Sequence, residues 1–142
     1  MSAERLRINE IFHSIQGEGT RAGMPCVFIR LTGCHLRCTY CDTEYAFYEG
    51  GWMTLNEIVA RVRDYGCGMV EVTGGEPLLQ PAVYPLMKRL ADEFETVLLE
   101  TSGAVPIDKV DAVGRRRHGM TIACLTGKLT GGQVRTEGVL LK

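Results

Sequence analysis

Met69-Val70-Glu71-Val72-Thr73-Gly74-Gly75-Glu76-Pro77 decides the fold, because a short strand-forming run stops abruptly at two glycines and lies between two helical patterns. Upstream, Thr54-Leu55-Asn56-Glu57 has the form of a capping box. Leu55, Ile58, Val59 and Val62 then recur at helical spacing until Gly66 stops them. Downstream, Pro81 suits the first turn of a second helix whose apolar face is Val83, Leu86, Met87, Leu90 and Phe94. Further out, Cys26 to Leu31 and Thr96 to Glu100 read as strands. The order strand, helix, strand, helix, strand predicts an α/β fold with a parallel sheet and right-handed crossovers.

That architecture locates the site before any motif is read. Ligands of parallel α/β folds bind beyond the carboxyl ends of the strands. Here those ends carry a cysteine loop after the first strand, Gly74-Gly75-Glu76-Pro77 after the second and Thr101-Ser102-Gly103 after the third. All three should meet at one edge of the sheet.

Composition narrows the partners. The 142 residues include 16 basic and 17 acidic side chains for a net charge of -1, which gives no electrostatic footprint for nucleic acid or an anionic membrane. No apolar run reaches the length of a membrane span, and Met1 to Asn9 lacks the hydrophobic stretch of a signal peptide, so a cytoplasmic location is expected. Six cysteines in such a chain point to metal, catalysis or buried thiols rather than to disulfides. Cys26 and Cys67 fall in or beside apolar strands and read as core thiols, and His13 and His118 as surface or packing residues.

Cys34-His35-Leu36-Arg37-Cys38-Thr39-Tyr40-Cys41 puts three thiols into one compact loop. Three cysteines hold a 4Fe-4S cluster with one iron left open to a small chelating molecule. A zinc site completed by His35 is the alternative. The spacing, with an aromatic residue immediately before the last cysteine, is the signature of the radical S-adenosylmethionine (SAM) superfamily, which this chain resembles. The resemblance implies that SAM binds the open iron and that one electron from the cluster cleaves its sulfonium bond. Gly74, Gly75 and Glu76 then resemble the SAM-binding turn, with exposed backbone groups and the Glu76 carboxylate available to the ammonium group, and Ser102 suits the ribose; tight turns remain the bland alternative for both segments.

Residues 9–19, Asn9-Glu10-Ile11-Phe12-His13-Ser14-Ile15-Gln16-Gly17-Glu18-Gly19, narrow the resemblance. Together with Phe28-Ile29-Arg30-Leu31-Thr32-Gly33-Cys34, Cys41-Asp42-Thr43, Thr73 to Gln80 and Glu100 to Gly103, they are similar to the 7-carboxy-7-deazaguanine synthases, from about Asn9 to Gly103. That family converts 6-carboxy-5,6,7,8-tetrahydropterin to 7-carboxy-7-deazaguanine with loss of ammonia, on the way to queuosine, and needs Mg2+. The resemblance implies a small-molecule pterin substrate held by Ile15, Gln16, Gly17, Arg30 and Thr73. It also implies SAM lying against Tyr40, Asp42 and Gly75, and Mg2+ on Thr43. A homodimer and an electron donor such as flavodoxin complete the expectation. The chemistry is reasonable: a guanidinium can hold a carboxylate by two parallel hydrogen bonds, and a hydroxyl oxygen suits a hard cation. A surface turn at Gln16 to Gly19 and a snorkelling Arg30 are the plain alternatives.

Beyond about Asp111 the resemblance ends. The expected organisation is a radical SAM core over residues 1–111, an incomplete α/β barrel, followed by a divergent C-terminal tail over residues 112–142. A full eight-unit barrel needs on the order of 250 residues, so a partial (β/α) barrel with a shortened C-terminal half is the expected fold. The tail offers one short strand, Met120 to Leu125, and a second near Val139, and the edge of the third strand should lie open. A glycyl-radical activase is the rival enzyme, and a catalytically silent iron-sulfur or zinc module the rival from another class.

Overall fold

The computed structural model describes residues 4–37, 41, 43–107, 109 and 110, together with the backbone of strands at 121–125 and 136–140. Its elements in chain order are β1 (Arg5–Ile15), β2 (Pro25–Leu31), β3 (Gly51–Thr54), α1 (Leu55–Asp64), β4 (Met69–Gly74), α2 (Val83–Glu93), β5 (Thr96–Thr101), β6 (Thr121–Leu125) and β7 (Thr136–Leu140). The strands form one sheet in the order β3-β1-β2-β4-β5-β6-β7. Pairing is parallel from β2 through β4 and β5 to β6, so the expected α/β order is present.

Three features depart from expectation. β1 is a strand of 11 residues antiparallel to β2, where the sequence offered no strand, and β3 adds antiparallel to its other edge. The reason lies at Asn9: Ile8 opposes Leu31 but Glu10 opposes Arg30, so one extra residue is inserted. The buried positions therefore run Leu6, Ile8, Ile11, and the alternation that marks a strand is broken. Secondly, β6 lies parallel beside β5, with Leu98 opposite Thr121, so the edge of the third predicted strand is covered rather than open. Thirdly, α2 begins at Val83, two residues after Pro81, which sits in the preceding turn.

The helices behave as their periodicity requires. Leu55, Ile58, Val59 and Val62 of α1 and Val83, Leu86, Met87 and Leu90 of α2 are buried in one apolar layer, with Phe94 half-buried beside them. The opposing sheet face supplies Val27, Ile29, Leu31, Val70, Val72, Val97 and Leu99. Gly66 ends the first helical segment at φ +64°, a conformation that favours glycine. The capping box is complete: Glu57 N–H donates to Thr54 Oγ1 at 3.2 Å and Thr54 N–H to Glu57 Oε2 at 2.7 Å. Those bonds to Thr54 hold the Glu57 carboxyl below its ordinary pKa. Thr54→Ala should cost about 1 kcal/mol of stability in urea unfolding, and an unchanged midpoint would count against the cap as a stabilising contact.

Strand pleating sends alternate residues to the other sheet face. There, away from α1 and α2, Phe12 stacks on Phe28 with ring centroids 5.1 Å apart, and Cys26, Met69 and Leu98 form a small apolar cluster. Toward the carboxyl ends of the parallel strands this face turns polar, with Arg30, Glu71, Thr73 and Glu100 on β2, β4 and β5. No helix among the described residues is long and apolar enough to cross a membrane.

Candidate functional site

Gly74 and Gly75 carry the chain from β4 into direct contact with the start of the cysteine loop. A Cβ on Gly74 would lie 2.7 Å from the Leu31 carbonyl oxygen. On Gly75 it would lie 2.2 Å from the Gly33 oxygen and 2.8 Å from Cys34 Cβ. The two segments are also joined by Glu76 N–H donating to the Gly33 oxygen at 2.8 Å. Gly33 itself has φ +101° and donates its N–H to the Ala46 oxygen at 2.7 Å, turning the chain off β2. The glycine pair is thus a requirement of close packing rather than of a turn alone.

Cys34 and Cys41 are partly exposed and, like Cys26 and Cys67, outside any disulfide. The Cys34 sulfur accepts Leu36 N–H at 3.4 Å, and Cys41 Sγ lies 3.8 Å from Thr43 Oγ1. Cys38, Tyr40 and Asp42 lie outside the described residues. By contrast, burial first, then the nearby Glu71 and Cys67, pushes the Cys26 thiol up to about 12. Cys26 is therefore inert, while the loop thiols have the accessibility a metal centre needs.

Glu76 corrects one expectation. It is fully buried, and its carboxylate accepts from Leu78 N–H at 3.1 Å, Thr101 Oγ1 at 2.8 Å, Ser102 N–H at 2.8 Å and Ser102 Oγ at 2.6 Å. With its oxygens so occupied it presents no free carboxylate to an ammonium group, and instead ties the turn after β4 to the end of β5. Ser102 is buried as well; its hydroxyl donates to Glu76 and accepts from Ala104 N–H at 3.3 Å. The third strand end thus joins the other two, through the carboxylate that sequence reasoning had aimed outward.

The remaining residues gather on the polar sheet face. Arg30 stands opposite Thr73 across β2 and β4. Its Nε donates to Glu10 Oε1 at 2.8 Å, and its guanidinium lies 5.8 Å from both the Phe12 and Tyr45 ring centroids. Among the described residues its two terminal nitrogens have no partner, and its side chain is only 14% exposed. Arg30 is therefore held in place rather than snorkelling. Gln16 is buried just past β1, where its N–H donates to Met24 oxygen at 2.9 Å and its carbonyl accepts Gly23 N–H at 2.7 Å. Its side-chain oxygen accepts Glu18 N–H at 3.2 Å and its amide donates to Glu71. The hairpin uses both backbone groups of Gln16, and the second amide hydrogen of its side chain has no acceptor among the described residues. Ile15 is 56% exposed at the end of β1, next to Gln16 and Gly17.

Sequence reasoning missed Glu10, Glu71, Glu100 and Gln80. Gln80 holds the strand ends together by accepting Arg7 N–H at 2.8 Å and donating to the Arg7 and Thr32 oxygens at 3.0 Å. The available signal was an acidic residue inside an apolar strand, as in Met69-Val70-Glu71-Val72, since such a group is rarely buried without a partner.

The model of the radical SAM superfamily matches residues 28–122. This chain belongs to that superfamily, and membership implies a 4Fe-4S cluster and SAM. Among curated relatives, 7-carboxy-7-deazaguanine synthase of Chlorobaculum tepidum is 54% identical over 112 residues, 78% of this chain and 51% of the relative. The synthase of Koribacter versatilis is 49% identical over 107 residues, 74% of this chain and 47% of the relative. The crystal structure of QueE from Escherichia coli matches with a TM-score of 0.63 at 30% identity, covering 70% of this chain and 53% of that one. The chain spans about half the length of the curated relatives it matches.

Proposed function

We propose that this chain forms the N-terminal part of the catalytic machinery of a 7-carboxy-7-deazaguanine synthase, acting on 6-carboxy-5,6,7,8-tetrahydropterin as a carbon-nitrogen lyase. The observation that carries the reading is the pairing of Arg30 and Thr73 on one polar sheet face near the strand ends that lead to Cys34, with Gln16 reaching the same face through Glu71 from the end of β1. The relatives support the choice of substrate.

In this reading Cys34, Cys38 and Cys41 hold the 4Fe-4S cluster, which when bound supplies the electron that cleaves SAM. Close packing of Gly74 and Gly75 keeps the SAM-binding turn against the cysteine loop, and main-chain oxygens there take the ammonium group in place of Glu76. Tyr40, Asp42 and Ser102 line the rest of the SAM site. Arg30, fixed by Glu10, offers its two terminal nitrogens to the pterin carboxylate. Ile15, the remaining amide hydrogen of Gln16, Gly17 and the Thr73 oxygen meet the heterocycle, and Thr43 takes Mg2+. A flavodoxin-like donor, a homodimer and a cytoplasmic setting belong to the same proposal.

The test is anaerobic turnover with the reconstituted chain. Consumption of 6-carboxytetrahydropterin should require SAM, reductant and Mg2+ together. Arg30→Ala should weaken substrate binding by ~2–5 kcal/mol, the loss typical of a buried charge left without its partner. Radical transfer to a protein glycine with no pterin turnover would select the activase.

A further inference from the structure

Resting on the pterin reading above, we infer that Glu71 is a positioning residue for the heterocycle. It links Gln16 at the end of β1 to Thr73 on β4 through Glu100 on β5. Two of the links are hydrogen bonds and the third is a cross-strand neighbourhood. Gln16 Nε2 donates to Glu71 Oε2, Glu71 and Glu100 are diagonal neighbours on the same face of β4 and β5, and Thr73 Oγ1 donates to Glu100 Oε2 at 2.8 Å. Both ends of this chain are proposed substrate contacts, and Glu71 itself is only 4% exposed.

A buried carboxyl group beside a second one favours its protonated form unless a cation intervenes. None of the described groups facing Glu71 supplies one. Glu18, after β1, adds further negative charge, as does Glu100 on β5. Cys26 on β2 is an un-ionised thiol near neutrality, and Arg30 on the same strand is paired with Glu10. Burial first, then Glu100, pushes the Glu71 carboxyl up to about 8. Glu71 therefore keeps its proton at neutral pH, beside the Glu100 carboxyl group. Thr73 spends its hydrogen on Glu100 and keeps its oxygen lone pairs for a ligand, and Gln16 keeps its second amide hydrogen. Losing the Glu71 proton buries a negative charge beside Glu100 and loosens both ends together.

The proton also links to folding. Between pH 4.5, the ordinary value, and about 8, folded Glu71 holds a proton the unfolded chain has released. This group alone therefore makes stability fall as pH rises through that window.

The experiment compares wild type, Glu71→Gln and Glu71→Val, each reconstituted with cluster and SAM, for pterin affinity, kcat and KM across pH 6 to 9. Wild type should lose affinity as pH rises through about 8, and its infrared band from an un-ionised carboxyl should fade over the same range. Glu71→Gln, still neutral and still able to bridge, should bind within about threefold of wild type with a flat pH profile and no such band. Glu71→Val should raise KM roughly tenfold at every pH, the cost of leaving buried polar partners unsatisfied, with a smaller effect on kcat. Equal binding by wild type and Glu71→Val, or a wild type without the carboxyl band at neutral pH, overturns the inference alone. Pterin ignored by all three proteins overturns the substrate reading and this inference with it.

Discussion

Gly75→Ala is expected to give a chain that folds but takes up almost no iron. The added methyl would sit 2.2 Å from the Gly33 oxygen and 2.8 Å from Cys34 Cβ, and the nearest obstruction is main chain, which cannot swing aside. Gly33 is pinned from both sides, accepting Glu76 N–H at 2.8 Å and donating to Ala46 oxygen at 2.7 Å. Relief must come from moving the loop that begins at Cys34. Overpacking of this kind costs about 1–3 kcal/mol of stability, which a folded domain can survive. A cluster site does not tolerate ligand displacement on the order of an ångström. Reconstituted wild type should hold about four irons per chain, the content of one 4Fe-4S cluster. Cys38→Ala should lose the cluster as Gly75→Ala does, while Cys67→Ala should keep it, because the Cys67 thiol donates to the Pro25 and Met69 oxygens at the opposite end of the strands. Full iron content in Gly75→Ala would mean that the cysteine loop does not depend on the glycine turn.

Glu76→Ala should produce the largest loss of stability among the site residues. Glu76 is 0% exposed, and the groups that donate to it, Leu78 N–H, Thr101 Oγ1, Ser102 N–H and Ser102 Oγ, are tied to it and left facing a cavity once it is truncated. Each buried polar group left without a partner costs about 1–3 kcal/mol. Water entering the cavity satisfies some of them and the terms are not additive, so a total on the order of 4 kcal/mol is expected. Glu76→Gln keeps one acceptor oxygen but turns an amide N–H toward other donors, and should fall between the two. Urea unfolding reads both variants, and a Glu76→Ala midpoint equal to wild type would remove Glu76 as the tie between the turn after β4 and β5. The same variant should weaken SAM binding, because the Gly74-Gly75 turn and Ser102 lose their common anchor.

Much of this chain was legible before folding, and the legible parts share a cause. The capping box at Thr54, the stop at Gly66 and the apolar faces of α1 and α2 depend on residues within four positions of one another. So does the spacing of the cysteine loop, on which the proposed ligand set rests. The carboxyl-end rule then predicted that this loop, the glycine turn and the end of β5 would meet, and the Gly75–Cys34 contact and the Glu76–Ser102 bonds show that they do.

What the tertiary structure decided lies in pairings between distant residues. β1 was hidden because the extra residue at Asn9 breaks the alternation, and only its pairing with β2 makes the segment a strand. That bulge also sets Glu10 opposite Arg30, so the orientation of the guanidinium follows from a register that no local pattern carries. Glu76 and Glu71 are the clearest cases. By residue type each is a surface acid, yet one is fixed by the end of β5 and the other by Gln16, just past β1. Burial of a carboxyl group is tolerated only where partners are supplied, and those partners, 25 and 26 residues away for Glu76 and 55 for Glu71, arrive only when the sheet assembles.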